Sequence, residues 1–152
     1  VGAGLKMGAL VAEASSENAQ RIYDYGRDLG IAFQLQDDYL DAFGDPKTFG
    51  KQVGGDIIEN KKTFLYLTAL QKLDPTHSKQ LQHLFSINPQ DPSEKIETVK
   101  QLFIDSGAAE ATQQEIENYT QKALNVLETL EVPQENKSIL EDFARLLMRR
   151  KV

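Results

Sequence analysis

The chain has 152 residues, 40% of them hydrophobic, and a formal net charge of -6. That length can bury one core, the lack of cysteine excludes disulfides and thiolate metal sites, and the acidic balance argues against nucleic acid bound through its phosphates. No apolar run approaches the ~18 residues of a membrane helix.

In chain order, Val1-Gly2-Ala3-Gly4-Leu5-Lys6-Met7-Gly8-Ala9-Leu10 reads as a small-residue helix. Ile22, Tyr25, Leu29 and Phe33 recur at helical spacing and predict a long helix over 16 to 43. Gly44-Asp45-Pro46 breaks it, because proline biases the residue before it away from helical angles. A glycine-rich loop runs through Gly50-Lys51-Gln52-Val53-Gly54-Gly55-Asp56, and the spacing of Ile57, Phe64, Leu67 and Leu70 predicts a helix over 56 to 73. Asp56 stands three residues before Glu59, the pattern of an N-cap in a capping box. Asp74-Pro75 opens a short helix to about Ser86, and the segment Asn88 to Pro92 separates it from a helix over 93 to 105. A longer helix follows from about 107 to 130, and Pro133 divides it from a last one over 134 to 150. His77 and His83, six residues apart, face differently on a helix and read as surface residues. With no strand-length alternation and no internal repeat, the predicted fold class is all-α.

The long helix carries the chemistry. Gln34, Asp37, Asp38 and Asp41 fall at i, i+3, i+4 and i+7 and so form one polar stripe on an otherwise apolar stretch. Asp37 and Asp41 lie one turn apart, where like charges repel by about a few tenths of a kcal/mol in water and more where desolvated. A solvated acidic face normally has lysine or arginine a turn away, yet residues 28 to 46 contain none, and the first cation is Lys47. Hard oxygen donors of this kind suit Mg²⁺, which keeps several waters and is held by one or two carboxylates together with substrate phosphates. An EF-hand is excluded, since nothing beginning at Asp37 or Asp41 supplies its alternating ligands and closing glutamate. Lys51 in the loop and Lys61 or Lys62 beyond it can fold back toward the stripe, where lysine acts on phosphate as a compact point charge.

The run Phe33-Gln34-Leu35-Gln36-Asp37-Asp38-Tyr39-Leu40-Asp41-Ala42-Phe43-Gly44-Asp45-Pro46, followed by Gly50-Lys51, Gly54-Gly55-Asp56 and Asn60-Lys61-Lys62-Thr63, closely resembles the second aspartate-rich region of trans-type polyprenyl diphosphate synthases. That family includes the farnesyl and geranylgeranyl diphosphate synthases. The resemblance implies an isoprenoid-synthase helical bundle and a Mg²⁺-dependent prenyltransferase that condenses an allylic prenyl diphosphate with isopentenyl diphosphate. Asp37, Asp38 and Asp41 would serve several Mg²⁺ ions, with Asp37 the direct ligand and the other two acting through water or hydrogen bonds. Lys51 and Lys61 would grip the allylic diphosphate, Gln34 would bond within the site, and Phe33 would line the isopentenyl pocket. Arg150, in the tail Arg149-Arg150-Lys151, resembles the basic C-terminus that closes over substrate phosphate; a cationic last helical turn is the plainer alternative.

The family's first aspartate motif and its isopentenyl-binding basic residues are not found between Val1 and Val152. The expectation is therefore that residues 1 to 152 form the C-terminal portion of a single synthase domain, inert without the N-terminal half. The resemblance further implies a cytoplasmic homodimer for the whole protein, without a membrane span. Two rivals are a noncatalytic helical regulatory subunit and a terpene cyclase. The first would be expected to lose part of the motif or its lysines, and the second to replace it with a mixed Asn, Ser and Glu signature; neither pattern is found at Asp37 to Asp41.

Overall fold

The computed structural model of the chain describes residues 1–45 and 53–149. Among these there are eight helices and no strand, as the all-α expectation requires. They are α1 (Gly2–Val11), α2 (Ser16–Phe43), α3 (Gly55–Ile58), α4 (Phe64–Lys72), α5 (Pro75–Leu84), α6 (Ser93–Asp105), α7 (Ala108–Glu128) and α8 (Gln134–Met148).

Contacts gather residues 1–34 and 115–149 into one compact unit and residues 35–114 into another. In the first, Tyr25, Leu29, Ala123, Leu127, Leu130 and Ala144 form the buried core. Tyr25 is fully buried and donates its hydroxyl to Leu140 O at 2.6 Å, which satisfies the one polar atom of the ring. Burial pushes its phenol up to about 12. Here α1 meets α2 backbone to backbone: a Cβ on Gly26 would stand 2.8 Å from Gly2 Cα, so only glycine fits that crossing.

In the second unit the core is built on Ile57, Leu65, Tyr66, Leu81, Val99 and Phe103. Tyr66 and Phe85 stack with ring centroids 4.3 Å apart and planes tilted by 38°. Proline at the first turn of α5 and the Asp74 carboxylate, which accepts from the N–H groups of Thr76 and His77, start that helix as the sequence pattern predicts. His77 and His83 are exposed, as expected.

The single helix expected over 56 to 73 is two helices. Asn60 adopts φ 59, in the left-handed region that asparagine tolerates better than most residues, and this stops α3 after four residues. Thr63 then takes an extended conformation and its hydroxyl caps α4 by accepting from Tyr66 N–H at 3.5 Å. The restart resets the helical phase. Leu65, Tyr66 and Ala69 become the buried face, while Leu67, which the continuous spacing placed with Ile57 and Leu70, is 50% exposed. Asp56 is also not the N-cap: Gly54 holds that position at φ 86, and Asp56 lies in the first turn of α3.

Candidate functional site

The acidic stripe occupies the last two turns of α2. Leu40 and Ala42 in these turns are buried, and Ala42, four residues after Asp38, shares its side of the helix. Asp38 is buried at 8% exposure, and Asp37 and Asp41 are half-buried. The helix ends where Gly44 N–H bonds Leu40 O at 2.8 Å; a Cβ on Gly44 would lie 2.5 Å from that oxygen, so the closure needs glycine.

The chain returns to the stripe at Gly54, whose N–H bonds Asp41 O at 2.6 Å. The first turn of α3 then stands against the Asp41 carboxylate: Asp56 N–H donates to Asp41 Oδ2 at 2.8 Å, and a Cβ on Gly55 would meet Asp41 Oδ1 at 3.2 Å. Burial pushes the Asp41 carboxyl above its ordinary range; the Asp56 N–H bond opposes the rise, and the negative charges of Asp56 and Asp37 add to it.

Lys61 closes the arrangement. Because Asn60 turns the chain, Lys61 lies in the link between α3 and α4, and its Nζ reaches Asp38 Oδ1 at 2.8 Å and Asp56 Oδ2 at 2.9 Å. Partial burial pulls the ammonium's pKa down, but the hydrogen bonds and charges of the two aspartates outweigh it and hold it above the ordinary lysine value. Lys62 is exposed. Asp38, Asp41, Asp56 and Lys61 together border a cavity of about 10 Å³, room for about one water.

Of the residues predicted from the sequence, Asp38, Asp41 and Lys61 meet within one unit, and Asp37 lies one turn before Asp41 on the same helix. Phe33 is half-buried and Gln34 exposed further back on α2. Lys51 and Arg150 lie outside the described residues. Asp56 was read as a helix cap and as part of the Gly54-Gly55-Asp56 stretch that shares in the resemblance; its role as the second partner of Lys61 depends on the turn at Asn60, which the sequence pattern did not reveal.

Among the described residues no group of three or more His, Cys, Asp or Glu side chains converges into a cage for a metal ion. The donor set nonetheless fits Mg²⁺ in its usual protein setting, where carboxylates supply only part of the shell and phosphate oxygens and water the rest. A larger cavity of about 310 Å³ lies between α7 and α8, where Arg145 pairs with Glu141 and Lys137 bonds the carbonyl of Glu128.

Residues 1–103 match the family described as polyprenyl synthetase. A short chain isoprenyl diphosphate synthase of Methanothermobacter thermautotrophicus is 33% identical over 86% of this chain and 39% of its own length. A geranylfarnesyl diphosphate synthase of Aeropyrum pernix is 32% identical over 91% of this chain and 42% of its own. A crystal structure of a geranylgeranyl pyrophosphate synthase superposes on the whole chain with a TM-score of 0.90 at 50% identity, covering 47% of that protein. The geranylgeranyl pyrophosphate synthase of Corynebacterium glutamicum, crystallised with isoprenyl diphosphate and magnesium, gives a TM-score of 0.84 at 33% identity over 95% of this chain and 41% of its own. The chain thus spans less than half the length of these proteins.

Proposed function

This chain belongs to the polyprenyl synthetase family, and from that premise we propose that it is the C-terminal portion of a Mg²⁺-dependent prenyltransferase. The reaction is condensation of an allylic prenyl diphosphate with isopentenyl diphosphate. The observation that carries the reading is the bridge of Lys61 between Asp38 and Asp56, beside Asp41 at the end of α2. A lysine so placed, together with Lys51, binds the allylic diphosphate and stabilises the charge it gains as its bond to the prenyl carbon breaks. Asp37, Asp38 and Asp41 would hold Mg²⁺, with Asp37 the direct ligand. Bound there with diphosphate, Mg²⁺ supplies Lewis-acid stabilisation of the leaving group. Gln34 orients the substrate by hydrogen bonding, Phe33 lines the isopentenyl pocket, and Arg150 closes over phosphate from the C-terminus.

The intact aspartates and Lys61 disfavour a noncatalytic subunit, and the unmixed aspartate motif disfavours a cyclase. In the cell the whole enzyme is a cytoplasmic homodimer in this reading; among the described residues no helix is long and apolar enough to cross a membrane. The test is a kinetic one in the enzyme that carries this chain. Lys61→Ala is expected to raise KM for the allylic diphosphate and lower kcat while leaving KM for isopentenyl diphosphate unchanged. Unaltered allylic kinetics in that variant would remove Lys61 from the site.

A further inference from the structure

Lys95, on α6, is 3% exposed, yet among the described residues its ammonium faces only neutral oxygen acceptors: Asn60 Oδ1 at 2.6 Å, Ile87 O at 3.0 Å and Ile58 O at 3.5 Å. Three donors thus meet three acceptors, and the Phe85 ring lies 5.9 Å from the same nitrogen. Burying an ammonium without a carboxylate partner is costly, and burial pushes its pKa below the ordinary lysine value. What these contacts provide is order at one place. Ile58 ends α3, where a helix leaves carbonyls without partners, and Asn60 is the residue held at φ 59. The Asn60 side chain is fixed from its other end as well, since Nδ2 donates to Asn88 Oδ1 at 2.9 Å. Ile96, the next residue on α6, packs its side chain against Gly54, where a Cβ would meet Ile96 Cδ1 at 3.0 Å. One turn of α6 therefore holds both ends of α3.

We propose that Lys95 is a positioning residue that, by fixing the Asn60 side chain and the left-handed turn it sits in, aims the Lys61 ammonium at Asp38 and Asp56. The chain of contacts is short. Lys95 holds Asn60, Asn60 sets the direction of the backbone, and the next residue bonds Asp56 O through its own N–H at 2.9 Å while its Nζ bridges the two carboxylates. Without the buried ammonium, Asn60 Oδ1 loses its donor and the αL conformation loses its tether, so Lys61 samples other directions. The inference rests on the reading of Lys61 as a lysine that grips diphosphate.

The test is a double-mutant cycle in the enzyme that carries this chain, reading the affinity for dimethylallyl diphosphate with Mg²⁺ and KM for isopentenyl diphosphate, well below the melting temperature of each variant. Lys95→Met fills similar volume without the bonds. It is expected to weaken dimethylallyl diphosphate binding about fivefold, to leave KM for isopentenyl diphosphate unchanged, and to have no further effect in a Lys61→Ala background. Asn60→Gly keeps the positive φ but removes the side-chain bonds to Lys95, Asn88 and Ile87 O; it should reproduce that pattern and carries the test if Lys95→Met does not fold. Full affinity in the folded Lys95→Met or Asn60→Gly variant, or an equal loss with and without Lys61, would overturn the positioning role. Unchanged affinity in Lys61→Ala alone would instead overturn the reading of Lys61, and the inference with it.

Discussion

Asp41 and Asp56 are joined by a charge-assisted hydrogen bond, in which the Asp56 N–H donates to Asp41 Oδ2 at 2.8 Å although the two side chains carry like charges. The bond holds the start of α3 against the end of α2, so the carboxylate serves as acceptor and as local charge at once. These two roles are separable. Asp41→Asn retains an oxygen acceptor, whereas Asp41→Ala loses it and leaves the N–H without its partner. Asp41→Ala is expected to be less stable than Asp41→Asn by about 1–2 kcal/mol, read as a shift in urea midpoint at constant m value. Equal midpoints would mean that the bond contributes nothing to docking α3.

The break between α3 and α4 makes a sharp prediction about packing. Leu65 is 1% exposed and Leu67 50%, the reverse of what a continuous helix in phase with Ile57 and Leu70 would give. Leu65→Ala should therefore cost about 2–5 kcal/mol by emptying a core position, and Leu67→Ala about 0.5 kcal/mol or less. A larger loss at Leu67 than at Leu65 in denaturant unfolding would restore the single helix.

That contrast also explains what the sequence could and could not convey. The stripe of Asp37, Asp38 and Asp41 and the end of α2 before Asp45 were legible because both depend on local spacing and turn chemistry. The break at Asn60 was not, because Ile57, Phe64 and Leu70 keep a helical period across it, and an asparagine in the left-handed region is written with the same letter as one in a helix. Lys95 left a trace, since it stands four residues before Val99 and seven before Leu102, a core phase on a helix. What it bonds there comes from Asn60 and Ile87, and no local pattern names them.

The start of α5 should be acid-labile. The Asp74 carboxylate is held below the ordinary carboxylate value first by its bond to the His77 ring, then by the backbone N–H of His77. A carboxyl depressed in the folded state contributes stability above its unfolded value, near 3.8, and loses it as pH falls through the lower folded value. Urea midpoints measured from neutral pH down past that window should fall less steeply for Asp74→Ala than for the parent chain. Parallel acid limbs would show that the cap is not linked to protonation.

For the catalytic reading, Asp37 is the decisive carboxylate. Asp37→Ala in the enzyme that carries this chain should lower turnover by orders of magnitude, because an interaction made as the diphosphate departs is felt in kcat. Asp41→Ala should cost less turnover while also costing stability, since part of its role is the bond to Asp56. Near-normal turnover of Asp37→Ala at saturating Mg²⁺ would refute the assignment of the metal ligands.

The last expectation concerns the 152-residue chain by itself, which should be inert even if it folds and binds Mg²⁺ with inorganic diphosphate. Stabilising a departing diphosphate needs charge placed around it on more than one side, and the described residues offer one stripe of aspartates and one lysine bridge. The exposed apolar side chains of Met7, Leu10 and Val11 on α1 and of Ile139, Phe143 and Leu146 on α8 should also promote self-association of the isolated chain. Incubation of the chain, its start verified by mass, with dimethylallyl and isopentenyl diphosphates and Mg²⁺ should give no lengthened prenyl product, and light scattering should show species above the monomer mass. Robust product formation would mean that the stripe at Asp37, Asp38 and Asp41 with Lys61 suffices for the reaction, and that the family's first aspartate motif is not needed to ionise the allylic substrate.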